Sequence, residues 1–248
     1  RGSAVPERRR LRVLILRQGG YPQDPRVQRE ALALVAAGHE VQLLCLRTIG
    51  SDGLRQAARE WVDGVLVHRL PLGRRRGGAV RYLLDYGGFF VAALLATTRA
   101  QFEQPFDVVQ VNTLPDALVW AAWPARLLGA GVLLDLHEVM PELFASRFGL
   151  GMDHWLPRLL GRVETAAIRF ADGAIAVSEP CLARYVSRGA PRERPRRPRV
   201  SWRCGRKPAT KGEMSDVVYA VHTSACTYLL DDSGFCQWVL SRHGTPAD

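Results

Sequence analysis

Residues 12–40, RVLILRQGGYPQDPRVQREALALVAAGHE, leave the chain few ways to fold. Val13, Leu14, Ile15 and Leu16 form an unbroken apolar run, as a strand buried on both faces of a parallel sheet requires. Gly19 and Gly20 follow, where a missing Cβ allows a tight turn and close approach of backbone to a ligand. Asp24 is a natural N-cap, and Pro25 suits the first helical position, where an absent N–H costs nothing. Val27, Ala31, Leu34 and Val35 then keep the 3.6-residue period, and Gly38 closes the helix. Apolar sequence resumes at Val41. This is a βαβ unit, whose first turn lies at the sheet edge where α/β folds bind ligands.

The alternation continues. Further strands are predicted at 41–46, 65–70, 107–111, 131–136 and 172–177, with helices at 79–102, 114–128 and 155–170 and one capped by Ser178. Trp61 is placed in a loop and short helix. The 79–102 helix reads mainly as core-facing; its apolar centre is broken by Asp85, Gly87 and Gly88, whereas a spanning helix needs ~20 uninterrupted residues. The other reading has its apolar side touching a bilayer surface beside Arg74, Arg75 and Arg76.

After Gly189 the rhythm stops. Residues 190–212 hold nine Lys and Arg against one acid, and 213–248 hold one Arg against five acids. Three organisational units follow: a flexible lead at 1–11, one α/β domain at 12–190, and a basic linker with an atypical, poorly ordered tail at 191–248. A strand at 217–221 and an apolar run near Trp238 are the tail's only expected structure. The formal charge of +10 suits anionic partners such as nucleotide diphosphates or acidic membrane surfaces. Nucleic acid is not expected, because no aromatic platform interleaves the basic run. Five cysteines without a CxxC give neither a disulfide framework nor a zinc pattern. The chain opens Arg-Gly-Ser, with neither Met nor an apolar signal region, so a fragment boundary and a cytoplasmic setting are the expectations.

Four segments in order, YPQDPRVQREALALVAAGHEV, FDVVQVNTLPDALVWAA, VLLDLHEVMPELF and GAIAVSEPCLARYVSRGAP, resemble the N-terminal domain of retaining family-four (group 1) glycosyltransferases. The resemblance covers about 12–191 and implies a Rossmann-like parallel sheet with helices on both faces, one half of a GT-B enzyme. Such enzymes move a hexose from a nucleotide-diphosphate sugar to an acceptor hydroxyl, usually without a metal or other cofactor. Their N-terminal domain mainly holds the acceptor, here a sugar or a lipid-linked sugar at the inner face of a membrane.

The resemblance assigns roles by position. His137, at the end of the 131–136 strand, is the implied catalytic residue, a hydrogen-bonding partner for hexose or acceptor. Gly19 and Gly20 would approach the donor pyrophosphate. Asn112 and Asp116 flank the Leu114-Pro115 turn and would meet the acceptor, with Asp116 equally suited to capping a helix. Glu138 and Glu142 would orient His137 or bind hydroxyls, and Asp135 would cap a neighbouring element. The family's donor-side Arg, Lys and carboxylate have no counterpart after Gly189. The chain is therefore expected to be a truncated enzyme, or one with a replaced donor domain, of weak or no activity. The alternative is a non-enzymatic module binding an anionic partner.

Overall fold

A computed structural model of the protein describes residues 10–49, 54–72 and 79–191, with only the backbone at 79–83, and the backbone of four later strands. The expected flexible lead, the basic segment at 73–78 and the linker at 192–199 lie outside the described residues.

Seven strands make one sheet. They are β1 (Arg12–Arg17), β2 (Glu40–Leu46), β3 (Arg59–Val62), β4 (Val65–Leu70), β5 (Val108–Asn112), β6 (Gly131–Leu136) and β7 (Gly173–Ala176), in spatial order β3-β4-β2-β1-β5-β6-β7. All pairings are parallel except β3 with β4. The helices are α1 (Pro25–Ala36), α2 (Ala79–Glu103), α3 (Trp123–Leu127), α4 (Met140–Phe148), α5 (Trp155–Phe170) and α6 (Glu179–Ser187). The chain steps outward from β1 to β2 and β4, then returns to β5 on the opposite side of β1. That reversal places the topological switch between β1 and β5.

The continuous apolar run of β1 serves two cores. Leu14 and Leu16 pack on one face with Phe89, Val109, Val111 and Leu134; Val13 and Ile15 pack on the other with Val27, Ala31 and Leu34 of α1. This is the two-residue period of a strand covered on both sides. Asp24 caps α1 as expected, its Oδ1 accepting from the Arg26 N–H at 3.1 Å.

Three local expectations change. Trp61 lies on β3, an antiparallel edge strand, because Asp63 and Gly64 both take positive φ in a tight hairpin turn (+50° and +82°). The expected helix at 114–128 divides into a 3-10 segment, Asp116–Ala122, and α3. Pro124 explains the break, since it has no N–H to continue an α-helical ladder. Helix α4 is additional: its N-cap, Val139, makes no side-chain bond, and its C-cap, Gly149, lies in the left-handed region.

Helix α2 buries Phe89, Ala93, Thr97 and Gln101 along one side. Leu84, Val91, Leu95 and Phe102 run along the opposite side, each more than half exposed. Among the described residues no helix is long and apolar enough to cross a membrane. In the tail, Val200–Trp202, Val217–Thr223, Cys226–Asp231 and Cys236–Ser241 pair as a four-stranded antiparallel sheet, with a strand where one is expected at 217–221.

Candidate active site

Three adjacent strands, β1, β5 and β6, end side by side at the switch, and the turns that follow carry Gly19-Gly20, Thr113 and His137. Asn112 closes β5 and Asp135 lies within β6, and the register pairs these two residues directly. His137 is 6% exposed, Asp135 3% and Asn112 0%. The His137 Nε2 makes a short contact with Asp135 Oδ2. The Asn112 amide nitrogen donates to Asp135 Oδ2 at 2.6 Å and to Glu30 Oε2 at 3.3 Å, and lies 3.2 Å from His137 Nε2. Gln110 donates to the same Glu30 oxygen at 2.7 Å. Thr113 finishes the frame, its Oγ1 accepting from the His137 backbone N–H at 3.0 Å and its own N–H donating to the Asp135 carbonyl at 2.9 Å.

Glu30 reaches this group from α1, across about eighty residues of chain. Burial, and then the charge of Asp135, hold its carboxyl well above the ordinary value; the Asn112 and Gln110 amides offset only part of this. Glu30, Asp135 and His137 each offer one atom within 4.8 Å of the others, so this cluster is where a cation would be sought. The Asn112 nitrogen already stands among those three atoms, and it donates to both carboxylates. The described arrangement is therefore a hydrogen-bonded polar group that needs no ion.

Beside it, Arg17 ties three elements together. Its guanidinium donates to the Thr113 carbonyl at 2.7 Å and pairs with Asp24 at 2.6 Å. Burial alone would raise the Asp24 carboxyl, but Arg17 and the Arg26 backbone N–H outweigh it and hold the group below its usual range. The Asp24 carboxylate thus already takes an N–H at the start of α1, where an incoming anion would have to compete for it. Gly20 allows close packing in this turn: a Cβ there would lie 2.6 Å from Gln23 Oε1 and 3.0 Å from Thr48. At Gly19 the nearest atom would be Arg17 Nε, at 3.1 Å.

Of the residues singled out in the sequence, the fold brings together His137 and Asn112, with Gly19 and Gly20 on the neighbouring turn. Glu138 is exposed, and its carbonyl accepts from the Tyr185 hydroxyl at 3.3 Å. Glu142 belongs to another group, its Oε1 engaged by Arg188 and 3.9 Å from Arg184. Asp116 is fully buried at the start of the 3-10 segment. Pro115 is the N-cap there and makes no side-chain bond, and neither carboxylate oxygen of Asp116 has a partner. A separate open groove of about 800 Å³ runs along α5 past Arg158, Arg162 and Arg169, and none of the selected residues lines it.

Sequence reasoning passed over Glu30, Gln110 and the contacts of Asp135 with Asn112 and His137. The signals were present. Glu30 interrupts the apolar stripe of Val27, Ala31 and Leu34, and Asp135 interrupts a strand otherwise buried on both faces. A polar residue at an inward position is the observation to pursue.

Glycyrrhiza uralensis UGT73P12, solved with glycyrrhetinic acid 3-O-monoglucuronide, is similar at 12% identity and a TM-score of 0.45, over 73% of this chain and 47% of that one. Acinetobacter baumannii MurG is similar at 16% identity and a TM-score of 0.38, over 69% of this chain and 42% of that one. The chain thus spans less than half the length of either. No curated protein matches the sequence. A family model, the glycosyl transferase 4-like domain, matches residues 8–197. The chain belongs to the glycosyl transferase 4-like domain family.

Proposed function

We propose that the domain at 12–190 is the acceptor side of a two-domain glycosyltransferase that moves a hexose from a nucleotide-diphosphate sugar to an acceptor hydroxyl, with retention. The observation that carries this reading is the polar group at the β1/β5 switch, where His137 offers a buried Nδ1 with no protein partner. An unpaired buried ring nitrogen invites a ligand partner, and a sugar hydroxyl, able to donate or accept, is one. In this reading His137 holds a hydroxyl of the hexose or acceptor rather than acting as a strong base. Asn112 and Asp135 keep the ring in place. Gly19 and Gly20 keep the turn tight on the side from which the donor diphosphate would approach, and Glu138, exposed beside His137, is available to acceptor hydroxyls.

Charge stabilisation of the departing diphosphate is usually the largest catalytic contribution. In the two-domain reading the groups for it belong to the donor side of the cleft, so residues 12–190 by themselves turn over slowly or not at all. The test is equilibrium binding to a panel of sugar and lipid-linked sugar acceptors. At least one should bind, and His137→Ala should weaken it about tenfold, the worth of one hydrogen bond of ~1.4 kcal/mol. Rapid turnover by the 248-residue chain alone would overturn the half-enzyme reading.

The exposed side of α2 supports an association with the inner face of an anionic membrane in a cytoplasmic setting. Leu84, Val91, Leu95 and Phe102 lie along one line of the helix, and Arg74, Arg75 and Arg76 precede it in sequence. Vesicles containing acidic lipid should bind the protein and neutral ones should not. Replacing Leu95 and Phe102 by Ser should lower the bound fraction several-fold; retention at wild-type level by the double variant would remove α2 from the contact.

A further inference from the structure

We infer that Asp135 fixes His137 in the tautomer with its proton on Nε2, so that Nδ1 is the atom the ring offers to a ligand, and that this makes the position selective for hydroxyl donors over anionic oxygens. Asp135, Asn112 and Glu30 then act as positioning residues. The substrate half of the inference rests on the reading above, that this edge of the sheet binds sugar; the tautomer does not.

The Asn112 nitrogen has two hydrogens, and both are used, one on Asp135 Oδ2 at 2.6 Å and one on Glu30 Oε2 at 3.3 Å. The reversed amide would turn its oxygen onto Asp135 Oδ2 at 2.6 Å, acceptor against acceptor, so the nitrogen faces Asp135. Asn112 therefore has no hydrogen left for His137 Nε2, and the 3.2 Å separation between them is a contact between two donors' nitrogens, not a bond. Gln110 spends one hydrogen on Glu30.

Two hydrogens remain, that of the Glu30 carboxyl, which burial and the facing Asp135 retain and which lies between the two acids, and the ring's own, which is the one for the Asp135–His137 contact. With Nε2 bare, its lone pair would face those of the carboxylate at short range; with Nε2 protonated, the pair is a charge-assisted hydrogen bond. Thr113 holds the backbone of His137, so the ring does not swing to relieve the contact. Nδ1 is left as an acceptor with no protein partner on a residue that is 94% buried, since its exposure is 6%. The charged groups around it are Asp135 on β6, Glu30 on α1, and the Asp24–Arg17 pair at the start of α1 and end of β1. None of these places a donor on Nδ1.

A bare imidazole nitrogen accepts from an O–H and repels a phosphate or carboxylate oxygen. The chemistry that fits Nδ1 is thus a neutral hydroxyl, and the donor diphosphate must lie elsewhere in the cleft.

The test is long-range proton–nitrogen NMR on the whole chain labelled with ¹⁵N-histidine, which has six histidines. His137 is assigned through its backbone neighbours Leu136 and Glu138, so the assignment does not depend on a variant folding. In the neutral ring Nε2 should appear protonated and Nδ1 unprotonated, and Asp135→Asn should shift the ring toward a mixture of tautomers. A protonated Nδ1 in the wild type would overturn the inference while leaving the functional reading intact. Addition of hydroxyl-rich acceptor sugars should move the Nδ1 resonance, and inorganic phosphate should not. The expected tautomer with an Nδ1 unmoved by any sugar would overturn the substrate half, together with the reading it rests on.

Discussion

Asp116→Asn should flatten the dependence of stability on pH, and the variant should gain on the wild type by about 3–4 kcal/mol between pH 5 and pH 8. Asp116 is completely buried, neither of its oxygens has a partner, and the nearest charge is another carboxylate, Glu164. Burial, then Glu164, push its carboxyl from 3.8 up to about 8. The sign follows from proton counting. Between about pH 4 and pH 8 the folded protein keeps a proton that the unfolded chain has released. The contribution of Asp116 to stability is therefore greatest below pH 4 and falls by ~1.4 kcal/mol per unit until the folded group itself ionises near pH 8. Asn carries no such proton. At pH 5 the variant should lie within about 1 kcal/mol of the wild type, because a buried amide without partners carries a desolvation cost of its own. Urea unfolding at both pH values measures the difference directly. Parallel stability profiles for the two proteins would mean that Asp116 is ionised and solvated, against the geometry.

That burial also explains how far sequence reading reached. Continuous apolar runs such as GVLLDL and the Asp24-Pro25 start of α1 report local requirements, and strand β6 lies at the residues expected from its sequence. The β3–β4 hairpin was readable from Asp63-Gly64 between two runs, but Arg59 and Glu60 make the first run short and polar, a weak strand signal. Helix α4 gave a weaker signal, since its N-terminus is uncapped and only Gly149 marks its end. The candidate site was half readable. His137 and Asn112 follow strands, and strand ends are where α/β ligands bind. Glu30 meets Gln110 and Asn112 only because α1 crosses back over β5, and Asp116 meets Glu164 only because α5 returns under the 3-10 segment. Contacts made across such distances depend on the whole topology, so the residues announce themselves only as polar interruptions of apolar faces.

Arg188→Ala should be the most destabilising single change away from the switch, costing about 3–5 kcal/mol at neutral pH. Arg188 follows the last turn of α6 and binds two carboxylates, Glu164 of α5 at 2.8 Å and Glu142 of α4 through a short contact. Glu164 is wholly buried, and its second oxygen has no partner. Burial raises its carboxyl, and Arg188 is the main influence drawing it back. Without the guanidinium, Glu164 must either stay charged in the interior or take up a proton. A carboxyl raised in the folded state contributes stability that is lost as pH climbs above its unfolded value, so the deficit of the variant should grow from pH 5 to pH 8. Adding Glu164→Gln should recover most of the loss at pH 8 and little at pH 5. A deficit that is equal at both pH values, or indifferent to Glu164→Gln, would show that Arg188 acts through packing alone. The consequence extends to the candidate site, because α4 starts at Met140, three residues after His137, and the Tyr185 hydroxyl of α6 binds the intervening Glu138 carbonyl. Arg188 and Tyr185 together brace the loop behind the imidazole. Loosening that brace should weaken acceptor binding even at a pH where the domain remains folded.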